Sequence, residues 1–242
     1  MNQCNLKGLV NSIETMGLVD GPGIRIVIFL QGCKLRCLYC HNPEMWCLEG
    51  ENLMSVDDVI SKVLKYKSYI SKNGGVTFSG GEPLLQSNFV YECCKRLKKE
   101  NIHVCIDTSG VGSDYESLID VVDLFIVDVK SLDKEEYKYI AGLEIDEFYK
   151  FMDKIQSKSK KLWLRQVIVP NINDKEETII KLAEYANSLK NVEKVELLAY
   201  HAMAEEKYER LNMKYRLAGT DNLSFEKIEQ LRTVLNDHLN LK

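Results

Sequence analysis

Ile24-Arg25-Ile26-Val27-Ile28-Phe29-Leu30 runs into Gln31-Gly32-Cys33-Lys34-Leu35-Arg36-Cys37-Leu38-Tyr39-Cys40-His41-Asn42-Pro43, and this junction decides the fold. The apolar run is short, rich in β-branched residues and closed by a Gly, which reads as a buried strand. The loop after it carries three thiols at Cys33, Cys37 and Cys40. Soft thiolates in a reduced protein point to zinc or to iron–sulfur. Structural zinc wants a closed shell of four ligands, which Cys47 or His41 could complete here. A [4Fe–4S] cluster held by three thiolates instead leaves one iron open to a non-protein ligand. A Cys triplet with no close fourth favours that second arrangement.

Outward from the junction, apolar runs alternate with amphipathic stretches, as in βα units around a parallel sheet. Strands are predicted over Leu6–Ile13, Ile24–Leu30, Gly75–Phe78, Ile102–Ile106, Leu124–Val127, Lys161–Val169 and Val195–Ala199. Helices are predicted over Ser55–Ile70, Gln86–Lys99, Lys134–Ala141, Ile145–Ser157, Lys175–Leu189 and Ser224–Leu239, with Ser55 as an N-cap. The first strand is expected to pair with the second as an edge hairpin, and His201–Asp221 to be a polar excursion.

The polar motifs follow the strands one by one. After the Cys loop come Ser79-Gly80-Gly81-Glu82-Pro83, Asp107-Thr108-Ser109-Gly110 and Asp128-Val129-Lys130. Arg165 lies within the next strand, and Tyr200-His201 ends the last. A parallel β/α barrel gathers its active site at the C-terminal strand ends. The expectation is therefore an α/β fold: a partial (β/α)6 TIM-like barrel with an N-terminal edge hairpin, forming one domain over residues 1–242. Taken singly, Gly80-Gly81-Glu82-Pro83 is also a tight turn, a strand-terminal Asp is also a helix cap, and Arg165 could be in a barrel-interior ion pair with Asp128.

Composition limits the function classes. The 242 residues are 45% hydrophobic and 28% charged, ordinary for a protein with a substantial core. A formal charge of −4 speaks against a general nucleic-acid binder. No apolar run reaches the ~20 residues of a membrane span, and the N-terminus lacks a signal peptide's apolar core. A cytoplasmic protein is expected, without membrane or nucleic-acid partners. All 8 cysteines precede Val111, and a disulfide framework belongs to smaller, core-poor secreted chains. Cys4, Cys47, Cys93, Cys94 and Cys105 read as structural or incidental.

The Cys-x3-Cys-x2-Cys block, with Tyr39 before its third Cys, resembles the signature of the radical S-adenosylmethionine (SAM) superfamily. The resemblance implies that the open iron binds the amino and carboxylate groups of SAM. One-electron reduction then yields methionine and a 5′-deoxyadenosyl radical. Gly80-Gly81-Glu82-Pro83 resembles the family segment that contacts the methionine amino group. Asp107-Thr108 and Asp128-Val129-Lys130 resemble segments that hold a monovalent cation, sodium or potassium, through Asp107, Thr108 and Asp128. Lys130, Arg165 and His201 would complete the pocket, with Tyr39 and His41 beside the cofactors.

Val19-Asp20-Gly21-Pro22-Gly23-Ile24-Arg25 is a turn on its own terms. It also resembles the N-terminal signature of glycyl-radical-enzyme activases, those acting on pyruvate formate-lyase above all. In them Asp20 and the Gly21-Pro22-Gly23 backbone would help receive the substrate loop. The resemblance runs through Phe78-Ser79-Gly80-Gly81-Glu82-Pro83-Leu84-Leu85, Arg165 to Pro170 and Glu196 to His201. It implies removal of a hydrogen atom from a glycine of a partner glycyl-radical enzyme, with reduced flavodoxin or ferredoxin as electron donor; a monomer is expected. Only Pro43 to Gly74, with Cys47 alone, separates the Cys block from the Gly-Gly turn, so no ferredoxin-like insert is expected. Two departures stand out: Ala199 replaces a usual Pro, and the loop after His201 lacks a common Gly.

Overall fold

The computed structural model describes residues 6–70 and 72–241; Cys4 lies outside them. In chain order the first elements are β1 (Lys7–Gly17), β2 (Arg25–Leu30), β3 (Leu53–Ser55), α1 (Val56–Leu64), α2 (Lys67–Ile70), β4 (Gly75–Gly80) and α3 (Ser87–Lys99). Then come β5 (Val104–Thr108), α4 (Glu116–Val121), β6 (Leu124–Asp128), α5 (Lys134–Ala141), α6 (Asp146–Ser157) and β7 (Lys161–Ile168). The chain closes with α7 (Glu176–Ser188), β8 (Val192–Ala199), α8 (Glu205–Arg210) and α9 (Phe225–His238). Among the described residues no helix is long and apolar enough to cross a membrane.

The chain divides into two compact units, each drawing on three separate segments. The first takes the chain up to Lys34, Met45–Ile126 and Glu147–Lys160; the second takes Leu35–Glu44, Val127–Asp146 and Lys161–Lys242. Within the first unit the strand order is β3-β1-β2-β4-β5, and within the second β7 lies beside β8. The α/β class read from the alternation of runs is the class found.

In the first unit, β2 and β4 run parallel from Arg25↔Gly75 to Leu30↔Gly80, and β5 continues the parallel set at Val76↔Val104. β2 carries apolar side chains on both faces, as a covered parallel strand should, while β4 puts Val76 and Phe78 on one face and the buried Thr77 and Ser79 on the other. β1 turns back antiparallel on β2, with register shifts between Val10 and Ser12 and between Glu14 and Gly17. The expected hairpin is there, but it is not the edge, because β3 pairs outside it from Lys7↔Ser55 to Leu9↔Leu53. β3 is too short to show a period in sequence. α3 buries Phe89, Val90, Cys93, Cys94 and Leu97, one helical face in which both cysteines are plain apolar filler.

Element ends moved where backbone geometry intervened. Asn101 takes a left-handed φ of 58° and the Ile102 N–H closes on Leu97 O, so β5 starts at Val104 instead of Ile102. Asn191 does the same before β8 (φ 58°) and its carbonyl accepts from Leu162 N, which lengthens β8 back to Val192. The predicted helix 55–70 is two: Tyr66 N bonds Val63 O and closes α1 in a tight turn before α2 begins. Its start is as read, with Ser55 and Asp58 in a reciprocal capping box. Helices α4 and α8 have only six residues each, too few for an apolar stripe.

The second unit sets β7 parallel to β8, from Leu162↔Val192 to Ile168↔Ala199. Helix α5 carries Asp133 as its N-cap, accepting from Glu136 N, and ends at Gly142 in a left-handed C-cap. Tyr200, after β8, is buried and shares a 2.9 Å hydroxyl contact with Tyr215.

Phe78 sits at the centre of β4 with no exposed surface. Phe78→Ala should cost about 3–5 kcal/mol of unfolding free energy by urea titration; a loss under ~1 kcal/mol would mean that the strand is not central to the core.

Candidate functional site

The exit of β2 is built together with the Gly-Gly-Glu turn. Gly32 has a φ of 99°, and its amide donates to Met45 O at 2.9 Å. Gly81 N donates to Leu30 O and Glu82 N to Gly32 O, both at 2.8 Å. This leaves no room for side chains: a Cβ on Gly81 would overlap the Gly32 carbonyl, and one on Gly80 (φ 103°) would stand 2.6 Å from Leu30 N. The glycines are there because two backbones touch. Cys33 follows directly from this junction.

Glu82 turns inward, with 1% of its surface exposed. Its Oε1 accepts from Leu84 N (3.0 Å) and Thr108 Oγ1 (2.5 Å), and its Oε2 from Ser109 N (2.8 Å) and Ser109 Oγ (2.5 Å). Burial pushes its pKa up, and the Ser109, Thr108 and Leu84 bonds oppose that shift. Glu82 was expected among cofactor contacts. Its oxygens are instead committed to the protein, joining the loop after β4 to the loop after β5. Thr108 Oγ1 also accepts from Gly110 N at 2.9 Å, and Ser79 Oγ donates to Asp107 Oδ2 at 3.0 Å.

In the second unit the thiol loop rests on the C-terminus of α5. Arg36 N donates to Ala141 O (2.8 Å) and Leu38 N to Ile140 O (2.9 Å), pairing carbonyls that a helix end leaves open. Leu35, Leu38 and Tyr39 are buried, Lys34 and Arg36 are exposed, and Cys33, Cys37 and Cys40 are half-buried. Cys40 N closes a turn onto Cys37 O at 3.2 Å. Burial lifts the Cys37 thiol to about 11, with Lys130 pulling the other way. Lys130 is itself buried; burial opposes its charge, but Asp128 at 2.6 Å and Tyr39 hold its pKa well above the usual value. Its Nζ stands 5.4 Å from the Tyr39 ring centre.

The residues fit an iron–sulfur cluster. None of the three thiols is in a disulfide, each is partly accessible, and together they offer three soft donors. Of the two candidates for a fourth zinc ligand, Cys47 is exposed and His41 has its ring 4.2 Å from that of His201. Among the described residues no three His, Cys, Asp or Glu side chains converge as ligands of a single ion.

Arg165 donates to Glu196 Oε2 at 2.8 Å, while Asp128 takes Lys130. The parallel register places Arg165 opposite Glu196, and Lys194 completes the group at 2.5 Å from Glu196 Oε1. Burial raises the Glu196 pKa, and the Lys194 and Arg165 bonds more than reverse it. Glu196 was legible only as part of a motif string; its pairing needs the register. His41 and His201 rings lie 4.2 Å apart, with His41 Nε2 3.3 Å from His201 O. Burial and the neighbouring His201 lower the His41 pKa, favouring the neutral ring. Lys207 ties Asn42 (2.8 Å) and Glu44 (2.9 Å) beside it.

The Asp20-Gly21-Pro22-Gly23 loop precedes β2, so it lies at the strand end opposite Cys33. Arg25, fully buried, secures it: its guanidinium donates to Pro22 O (3.0 Å), Thr77 Oγ1 (2.6 Å) and Val76 O (2.6 Å). Thr77 in turn donates to Asp20 O at 2.6 Å. Sequence reading passed over Arg25, although a cation in an otherwise apolar strand was its signal.

The model of the Radical SAM superfamily matches residues 27–183. A pyruvate formate-lyase-activating enzyme from Clostridium pasteurianum is 44% identical over 96% of this chain and 98% of its own length. One from Staphylococcus epidermidis is 40% identical over 96% of each chain. A crystal structure of a domain of pyruvate-formate lyase-activating enzyme from Bacteroides vulgatus has a TM-score of 0.56 at 25% identity, covering 70% of this chain and 98% of its own. Streptococcus suis SuiB bound to S-adenosylmethionine shares the fold at a TM-score of 0.67 and 16% identity, over 87% of this chain and 47% of its own.

Glu82→Gln supplies one acceptor and one unwanted donor where four donors converge, and the fixed Ser109 N–H cannot turn away. Denaturant unfolding should show a loss of about 1–3 kcal/mol; an unchanged midpoint would show that the buried bonds carry no stability.

Proposed function

We propose, for a chain that belongs to the radical SAM superfamily and within it to the pyruvate formate-lyase-activating enzymes, that it activates pyruvate formate-lyase by taking a hydrogen atom from one glycine of that enzyme. The observation that carries the reading is the interlocked pair of turns, Gly32 at the root of the thiol loop and Gly80-Gly81-Glu82 bonded onto it. When bound, an iron–sulfur cluster with SAM supplies, on accepting one electron from reduced flavodoxin or ferredoxin, the carbon radical that removes the hydrogen.

This chain's own residues bind and orient. Cys33, Cys37 and Cys40 hold the cluster as thiolates. Gly80 and Gly81 let backbone carbonyls approach the SAM amino group, and Glu82 keeps their turn in place from behind. Lys130 and Arg165 answer the SAM carboxylate, each already oriented by a carboxylate of its own, Asp128 and Glu196. Asp107, Thr108 and Asp128 are hard oxygen donors for sodium or potassium. Thr108 already spends its proton on Glu82 and would use its remaining lone pair. Tyr39, His41 and His201 line the thiol loop's surroundings. Asp20, Gly21, Pro22 and Gly23 receive the partner's loop from the opposite strand ends, where Arg25 holds them. The chain works in the cytoplasm as a monomeric single domain over residues 1–242.

An anaerobic mixture of the protein, SAM, reduced flavodoxin and pyruvate formate-lyase should develop a glycyl-radical doublet by electron paramagnetic resonance. A silent spectrum with active flavodoxin and intact cluster would count against the reading. Cys37→Ala should lower reductive SAM cleavage by at least about a hundredfold, and retained cleavage would remove Cys37 from the ligand set. Asp20→Ala should leave SAM cleavage within about twofold yet reduce glycyl-radical yield tenfold or more, the loss expected when positioning fails; equal loss of both would place Asp20 elsewhere in the machinery.

A further inference from the structure

We infer that the outward face of the thiol loop, centred on Arg36, Arg216 and Tyr139, is the docking surface for a small acidic one-electron carrier protein. The inference rests on the function just proposed, in which the cluster must be reduced from outside. Electron transfer weakens steeply with distance, so the donor has to seat itself against the loop that carries the thiols.

That loop presents cations where it is exposed. Its side chains alternate, Leu35 inward and Lys34 and Arg36 outward. Arg216 reaches it from the segment after α8: its guanidinium donates to Arg36 O (3.4 Å) and Tyr139 O (3.2 Å) and lies 5.6 Å from the Tyr139 ring centre. Tyr139 keeps 55% of its surface exposed, an amphipathic ring suited to a contact surface. Gly32 to Pro43 contains no carboxylate. Two acids that flank the loop and α5 in sequence are engaged, Glu44 with Lys207 at 2.9 Å and Glu144 with Lys138 at 2.5 Å. A positive face on a chain of net charge −4 is a local device. Charge of this kind steers an oppositely charged partner and speeds encounter more than it tightens the complex. In the step itself the carrier loses one electron and the cluster gains one; no bond or proton moves.

The test compares two reductants on the loaded enzyme. Reduced flavodoxin serves as the acidic carrier, and photoreduced deazaflavin as a small neutral donor that needs no docking surface. Arg36→Glu with Arg216→Glu should slow flavodoxin-driven SAM cleavage about tenfold or more at low salt. The wild-type rate should fall as salt rises, and deazaflavin-driven cleavage should stay within about twofold throughout. Because Arg216 also touches backbone, the milder pair Arg36→Gln with Arg216→Gln checks the result: it should show a smaller loss confined to flavodoxin. An unchanged flavodoxin rate in the reversed variant, or a salt-independent wild type, would overturn the assignment. So would equal loss with both reductants in the milder pair. A wild type that fails to cleave SAM even with deazaflavin would instead bring down the functional reading beneath it.

Discussion

The loops after β4 and β5 depend on one buried carboxylate. Glu82 has no cation beside it among its bonded partners; two hydroxyls and two amides surround its oxygens. A charge kept from water in this way persists only if its lone pairs are met. The constraint fixes the loop after β5 to the turn after β4, while the Glu82 and Gly81 amides fix that turn to the exit of β2. Three consecutive strand ends thus hold one another through backbone and one side chain. A ligand-binding rim needs such rigidity before any ligand arrives.

The second unit solves a related problem with a helix end. Carbonyls at the C-terminus of α5 lack intrahelical partners, and the thiol loop's amides supply them at Arg36 and Leu38. A loop of alternating buried and exposed residues is thereby given a definite conformation without regular secondary structure. The same anchoring directs Arg36 to solvent and brings Arg216 onto the loop. Binding geometry and surface charge come from a single seating.

Much of the site was readable along the chain because its motifs are local. The Cys triplet, the Gly-Gly-Glu turn and the Asp-Thr step are each a few residues long, and the strands before them are apolar runs that register on their own. The capping box at Ser55 was legible for the same reason. What escaped was either too short for a period, as with β3, α4 and α8, or dependent on register across strands. For Arg165 the sequence offered Asp128 alone as an ion-pair partner. Only the β7–β8 pairing decides that it faces Glu196.

The amino-acid order by itself determined the α/β class, the succession of strand-end motifs and the chemistry of the thiol loop, since periodicity and donor type are properties of neighbours in the chain. Tertiary structure alone decided that Glu82 braces two loops and that Arg25 secures the Asp20-Gly21-Pro22-Gly23 loop. It also decided that Lys130 is bound by Asp128. These are buried charges, and what a buried charge does depends on which donors and acceptors surround it in three dimensions. No local pattern carries that information.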